Sequence, residues 1–364
     1  MTRGLSTRRG FLPEASFLPD GTRAVVRSLD SNDLKAVHIQ GLVTNALHLS
    51  THPGSTVIQK LGGLHDFMAW DRPIITDSGG FQIYSLLREN SRNGSVTDKG
   101  FMYRPGGQGD KKLLSPAKAI QHQVRYGADI VFCLDQCTHP SDALEIQKQS
   151  VARTIAWAKA CKEEFDRLTR PSKKDTPRPL LFAVVQGGDD KDLRRRCADA
   201  LLEIGFDGYG FGGWPIAEDG GLTEMVGFVG QDLVPDEFPL HALGVGKPEN
   251  IVAAFDQGYL TFDSALPTRD ARRQRLFVPT MPLTPENVRK PKFYRYIYLK
   301  DEKWRRHKGP VDESCDCPCC TQVSAAYLHH LFKIEDVLAY RLATLHNLRF
   351  ITRLTACLQS EAST

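Results

Sequence analysis

Short apolar or β-branched runs alternate along the chain with stretches whose apolar residues recur every three to four positions, and each short run ends in a polar or glycine-rich knot. Pro73-Ile74-Ile75-Thr76 leads into Asp77-Ser78-Gly79-Gly80, residues 130–134 into Asp135-Gln136-Cys137, and residues 181–185 into Gln186-Gly187-Gly188. Residues 206–211 reach Gly212-Gly213, His241-Ala242-Leu243 reaches Gly244-Val245-Gly246-Lys247, and residues 259–262 reach Asp263. Between them the pattern predicts helices, one capped by Ser115 with Pro116 in its first turn and Gly127 as its stop, and a longer one after Ser141. This alternation predicts a (β/α)8 barrel with its chemistry at the C-terminal ends of the strands, with a doubly wound open sheet as the rival. The Pro- and Lys-rich stretch 170–179 reads as a surface loop.

With 364 residues, 41% hydrophobic and 25% charged, the chain can bury a barrel-sized core and carry an appendage. No window approaches the roughly 18 apolar residues of a membrane span, and the isolated cysteines Cys133, Cys137, Cys161, Cys197 and Cys357 suit a reducing cytoplasm. Thr7-Arg8-Arg9-Gly10-Phe11-Leu12 mimics a twin-arginine export signal, but Pro13, Glu14, Pro19 and Asp20 stand where an apolar stretch would have to follow. The net charge of +4 is too small to define a partner. Its distribution is more telling: nine Lys and Arg between Arg289 and Lys308 interleave with Phe293, Tyr294, Tyr296, Tyr298 and Trp304. Such a segment suits phosphates and unstacked bases, or is a solvated basic face over core aromatics.

Cys315-Asp-Cys317-Pro-Cys319-Cys320 packs four thiols into six residues. Thiolates this dense repel one another unless a cation holds them or they oxidise, and sequence-adjacent cysteines rarely pair with each other. Cys315, Cys317 and Cys320, with the distant imidazole of His346, form the ligand set of one structural Zn2+ per chain, with no position left open for a reacting water. The glycine motifs carry less. Gly208-Tyr-Gly210-Phe-Gly212-Gly213 satisfies a dinucleotide fingerprint, yet Trp214-Pro215 follows where a helix would have to open. Asp77 and Asp263 each stand at a strand end, where a carboxylate can act as nucleophile or acid/base on a glycosidic bond, or can simply cap the next helix.

Taken together, Thr76-Asp77-Ser78-Gly79-Gly80-Phe81-Gln82, Val185-Gln186-Gly187-Gly188, Gly208 to Gly213, Leu243-Gly244-Val245-Gly246, Phe262-Asp263, Pro267-Thr268-Arg269 and the cysteine cluster through His346-Asn347 resemble the tRNA-guanine transglycosylases, in order and spacing. The resemblance implies a (β/α)8 barrel over 1–288, a basic and zinc-binding subdomain over 289–349 and a tail over 350–364 that completes the barrel. It implies exchange of the wobble guanine in tRNA with a G-U-N anticodon for a free 7-deazaguanine base, releasing guanine. Asp263 matches the family's nucleophile, forming a covalent ester with the ribose, and Asp77 its general acid/base. Asp135, Gln186 and the Gly213 backbone match groups that read the base edge, Phe81 and Leu243 match the walls of the purine slot, and Arg269 and Arg272 lie where the anticodon is contacted.

Gln136 stands where bacterial members carry a second acidic residue, Cys137 matches the bacterial type, and Trp214-Pro215-Ile216 replaces smaller residues beside the base. Pro215 has no N–H, so only the Trp214 carbonyl can face a substituent there, which favours 7-aminomethyl-7-deazaguanine over a nitrile, with queuine as a further candidate. The resemblance further implies a homodimer built through the zinc subdomain, whose helix repeats Ile334, Val337, Leu338, Leu342, Leu345 and Leu348 on one face. Two other readings stay open: a paralogue exchanging guanine in DNA, and a non-catalytic RNA-binding subunit, the second disfavoured by the presence of both Asp77 and Asp263.

Overall fold

In the computed structural model, which describes residues 4–107, 109–170 and 177–361, eight parallel strands alternate with helices. They are β1 (Ser16–Pro19), β2 (Leu42–Asn45), β3 (Ile74–Asp77), β4 (Ile130–Phe132), β5 (Leu180–Val185), β6 (Gly208–Phe211), β7 (Leu240–Ala242) and β8 (Thr261–Ser264). Each strand from β2 to β8 pairs in parallel with its neighbours in chain order, and β8 pairs with β1. A parallel bridge between Asp20 and Val43 closes the last gap, with Gly21 N donating to Val43 O at 2.7 Å. The sheet is therefore the (β/α)8 barrel expected from the pattern rather than an open sheet. Two strands, β1 and β2, do not stand out in the sequence pattern, and β1 ends in proline.

Strand alternation sorts the core into two layers. Leu18, Val43, Ile75, Ile130, Phe132, Phe182 and Val184 fill the barrel interior, with Leu12 of the preceding hairpin (Gly4–Thr7 with Gly10–Pro13) packed against them. Phe17, Ile74, Val131, Ala183, Tyr209, Ala242 and Phe262 belong to the larger cluster shared with the helices. Arg8 and Arg9 lie in the turn of that hairpin, where the Arg8 guanidinium donates to the carbonyls of Gly127 and Ala128 at 3.0 and 2.6 Å. Helix Pro116–Arg125 starts as expected, with the Ser115 hydroxyl accepting from Lys118 N, and Gly127 takes φ +70° just beyond it. The longer helix begins at Leu144 and runs to Thr169. Positions 171–176 of the expected surface loop and 362–364 of the expected tail lie outside the described residues.

The glycines of the apparent dinucleotide motif face a packing problem instead. A Cβ on Gly208 would sit 2.4 Å from the Phe182 ring, and one on Gly210 would sit 3.0 Å from both Phe132 and Leu243. Glycine on β6 thus makes room for the large side chains of β4 and β5.

After β8 and helix Leu266–Arg272, an antiparallel pair (Arg275–Pro279 with Tyr294–Tyr298) and helices Pro318–Gln322 and Ala325–Lys333 form an appendage. Helix Val337–Glu361 then packs on helix Leu266–Arg272 and against β1. It is continuous through 349–350, and the antiparallel pair straddles 288–289, so the two boundaries expected from the sequence fall inside structural units. Its Leu342, Leu345 and Leu348 are buried, whereas Val337 and, just before the helix, Ile334 are exposed.

Candidate active site and metal centre

Because all eight strands run the same way, the knots after them meet on one rim. Asn45 and Asp77 are register partners at the ends of β2 and β3, and Asn45 Nδ2 donates to Asp77 Oδ2 at 2.9 Å. Asp77 Oδ1 accepts from Ala46 N at 3.3 Å and Gly79 N at 3.1 Å, the first amide after β2 and the second after β3. Burial raises the Asp77 carboxyl to about 7; the Asn45 bond opposes the shift and the Asp263 charge adds to it. The two carboxylates therefore sense each other across the rim.

Asp263 does not cap the helix after it. The Ser264 hydroxyl accepts from Leu266 N at 3.1 Å, leaving the Asp263 carboxylate to accept from Gly244 N at 3.0 Å and to meet His241 Nε2 at 3.1 Å. At the next strand ends, Gln186 Nε2 donates to Asp135 Oδ2 at 2.6 Å, and burial raises Asp135 to about 6. Gln186 Oε1 is buried without a partner, beside Gly213, whose φ of +97° suits a residue with no Cβ. Phe81 is half exposed and meets the Trp214 ring edge-on at 6.1 Å, while Trp214 also contacts His139 at 5.2 Å. Leu243 packs over the interior cluster from the β7 end.

Gln136 and Cys137 sit on the same rim but are engaged with protein. The Gln136 side-chain carbonyl accepts from Arg153 at 3.2 Å, and its main chain is held by Thr154 and Ser150. Cys137 is buried with its thiol on the Thr138 carbonyl at 3.5 Å, and burial pushes it up to about 12, which makes it inert at neutral pH. Arg269 is exposed, and Arg272 is half buried with Nη1 unpartnered. Burial and the Arg27 charge both lower Arg272 from its usual range.

Three contributors carry no local signal in the sequence. Asn45 ends a strand with no polar or glycine-rich knot after it, and His241 reads as an ordinary strand residue. Arg194 is one of three consecutive arginines, yet it is 1% exposed. It donates to the carbonyls of Gly188, Val185 and Gly212 at 2.9, 2.7 and 2.9 Å and lies 4.3 Å over the Phe211 ring. Burial brings it down to about 10. This guanidinium ties together the glycine knots after β5 and β6, and so positions Gln186 and Gly213.

The basic aromatic segment divides in two. Phe293 is buried and Tyr294 and Tyr296 are partly buried in a cluster with Phe277 and Phe350. Arg289 pairs with Asp256 at 2.7 Å, and Lys290 with Glu286 at 2.5 Å. A groove of about 560 Å³ is lined by Phe293, Tyr294 and Tyr296 and by Lys247, Arg289, Lys290, Lys292 and Arg295 together with Glu249 and Asp256.

All nine cysteines of the chain are free thiols, and in the appendage one donor atom each from Cys315, Cys317, Cys320 and His346 lies within 4.8 Å of the others, all buried. Cys317 caps helix Pro318–Gln322, accepting from Cys320 N at 3.4 Å, and Cys320 Sγ lies 3.2 Å from His346 Nδ1. His346 Nε2 donates to the Phe277 carbonyl at 2.7 Å, which leaves Nδ1 a lone pair directed at the sulfurs. Cys319, although fully buried, is not in the set. A fully buried cluster of three thiols and one oriented imidazole can hold a metal ion, and the Arg349–Asp316 and Arg353–Asp312 pairs fasten the surrounding loop to the C-terminal helix.

Fold and site define a (β/α)8 barrel with a carboxylate pair on its C-terminal rim and a cluster of three cysteines and a last-helix histidine that could hold a metal ion. The profile of the queuine tRNA-ribosyltransferase family matches residues 3–361. The chain is 37% identical over 348 residues to the queuine tRNA-ribosyltransferase of Lysinibacillus sphaericus (strain C3-41), covering 96% of this chain and 84% of that protein. It is 38% identical over 352 residues to the queuine tRNA-ribosyltransferase of Caldanaerobacter subterraneus subsp. tengcongensis, covering 96% and 86%. That of Novosphingobium aromaticivorans is 37% identical over 358 residues, covering 98% and 89%. The chain belongs to the queuine tRNA-ribosyltransferase family. No helix among the described residues is long and apolar enough to cross a membrane.

Proposed function

We propose that this chain is a tRNA-guanine transglycosylase that exchanges the wobble guanine of a G-U-N anticodon for a 7-deazaguanine base in two displacements. The observation that carries the reading is the carboxylate pair: Asp263 held by His241 and Gly244, and Asp77 raised to about 7 by burial. Asp263 attacks the ribose anomeric carbon as the bond to guanine breaks, and the Asp77 carboxyl gives its proton to the departing base. The incoming base returns a proton to Asp77 and displaces Asp263, restoring the original configuration. A group half protonated near pH 7 suits both directions of transfer. Asp135 accepts from the N–H groups of the purine edge, the unpartnered Gln186 Oε1 and the Gly213 backbone complete the reading, and Phe81 and Leu243 flank the ring. Arg269 and Arg272 serve the anticodon backbone.

The Pro215 carbonyl accepts from Thr223 N at 2.9 Å, so of this peptide pair the Trp214 carbonyl remains for a base substituent, which favours an amine donor. Cys315, Cys317, Cys320 and His346 hold Zn2+, which locks the appendage and takes no part in the exchange. Exposed Tyr327, Ile334 and Val337 leave the appendage surface for a second copy of the chain, and the homodimer acts in the cytoplasm.

Incubation with labelled guanine and unmodified tRNA of G-U-N anticodon tests this, beside the Asp263→Asn variant and a duplex DNA control. Label at the wobble position, absent in the variant, is the expected result. Label in DNA alone transfers the same chemistry to another polymer; label in neither overturns the reading in favour of a non-catalytic subunit.

A further inference from the structure

The apolar interior cluster draws its side chains from β1 to β5, and β6 is glycine-lined, whereas β7 and β8 bring His241, Thr261 and Asp263 inward. His241 is completely buried, and its two ring nitrogens are both used. Nε2 lies 3.1 Å from Asp263 Oδ1 and Nδ1 lies 2.8 Å from Thr261 Oγ1, a contact made direct because His241 and Thr261 are register partners. A carboxylate only accepts, so Nε2 carries the hydrogen; in the neutral ring Nδ1 is then the acceptor and the threonine hydroxyl donates to it. The backbone N–H of Gly244 donates to the same Oδ1 at 3.0 Å. Among the described residues, no protein donor reaches Oδ2.

We infer that His241 is a positioning residue for the exchange, locked by Thr261 as its Nε2–H tautomer, and that it assigns the two Asp263 oxygens different tasks. Oδ1 is pinned by two donors, and Oδ2 is the atom presented to the ribose. In the first displacement the Oδ2–carbon bond forms as the carbon–nitrogen bond to guanine breaks, and the departing base takes the Asp77 proton. Oδ1 becomes the ester carbonyl and keeps both donors. In the second displacement a nitrogen of the incoming base bonds to the anomeric carbon and gives its proton to Asp77, the electron pair of the breaking Oδ2–carbon bond returns to the carboxylate, and the charge that reappears on Oδ1 meets donors already in place. This inference rests on Asp263 being the nucleophile.

The test compares steady-state guanine exchange and single-turnover formation of the covalent tRNA complex in wild type, His241→Phe, His241→Gln, Thr261→Val and Asp263→Asn, with melting temperatures alongside. His241→Phe removes the donor while keeping an aromatic ring against Phe132, whose centroid lies 5.5 Å away. It is expected to lower kcat and the rate of complex formation about 10- to 100-fold, with KM for tRNA and guanine within about twofold, as for loss of a hydrogen bond to a charged group. His241→Gln, whose amide can reach the Nε2 position, is expected to recover much of that loss, and Thr261→Val to fall between the two. Equal kcat in His241→Phe and wild type, a loss confined to KM, or a glutamine variant as poor as the phenylalanine one overturns the inference. Should His241→Phe fold poorly, the contrast between the glutamine and valine variants decides by the same criteria. An active Asp263→Asn would instead remove the underlying assignment of the nucleophile.

Discussion

Replacing Asp77 by asparagine deletes a titration that the fold has displaced. The carboxyl is moved from 3.8 to about 7, with burial as the largest cause. Between those values the native state holds the proton more tightly than the unfolded chain does, so Asp77 makes stability fall as pH rises through the window, and the whole penalty stands above about pH 7. Some 3 units at 1.36 kcal/mol each come to about 4 kcal/mol, of which roughly 1.5 has accrued by pH 5, leaving about 2.5 kcal/mol between pH 5 and 8.5. At about 2.1 cal/mol/K per residue, the unfolding entropy of a chain this long is about 0.8 kcal/mol/K. The melting temperature of Asp77→Asn relative to wild type should therefore rise by roughly 3 °C from pH 5 to pH 8.5. A pH-independent offset is expected as well, because one amide oxygen replaces two carboxylate oxygens that accept from Asn45, Ala46 and Gly79. Scanning calorimetry of both proteins across that range measures the difference directly, while base exchange should be lost in the variant. A melting difference that stays constant with pH would refute the raised carboxyl and with it the acid/base role.

Arg194→Met should strand the carbonyls of Gly188 and Gly212, leave that of Val185 with Gly212 N alone, and cost about 2 to 5 kcal/mol, read as a fall of several degrees in melting temperature; an unchanged value would sink the idea that this cation ties the knots together. Prolonged chelation should release one zinc per chain by atomic absorption and expose the appendage to proteolysis near Cys315–Gln322, and Cys320→Ser should reproduce that cleavage while Cys319→Ser should not. An intact dimer after chelation, measured by light scattering, would remove the metal module from the interface. The aminomethyl base should be exchanged more efficiently than its cyano counterpart by wild type, and equal kcat/KM for the two would refute the role given to Pro215.

The residues with strong chemistry and short-range order were legible from the chain alone. Polar knots after apolar runs define a barrel rim because parallel strands must all end on one side, and three cysteines within six residues with one distant histidine define a metal site because thiolates at that density need a cation. Tertiary structure decided whatever depends on which strands become neighbours. His241 meets Asp263, and Asn45 meets Asp77, through lateral register between strands 22 and 32 residues apart in sequence, where no local pattern exists. The same holds for Arg194, indistinguishable from Arg195 and Arg196 until the helix face it occupies is turned beneath β5 and β6, and for Gly208 and Gly210, whose need for a missing side chain comes from Phe182 and Phe132 on the next two strands of the sheet, β5 and β4. Phe293, Tyr294 and Tyr296 cluster, while Tyr298 stays exposed, for a reason of the same kind: Phe277 and Phe350, brought up by the antiparallel pair and the last helix, offered them an apolar surface that the linear sequence does not display.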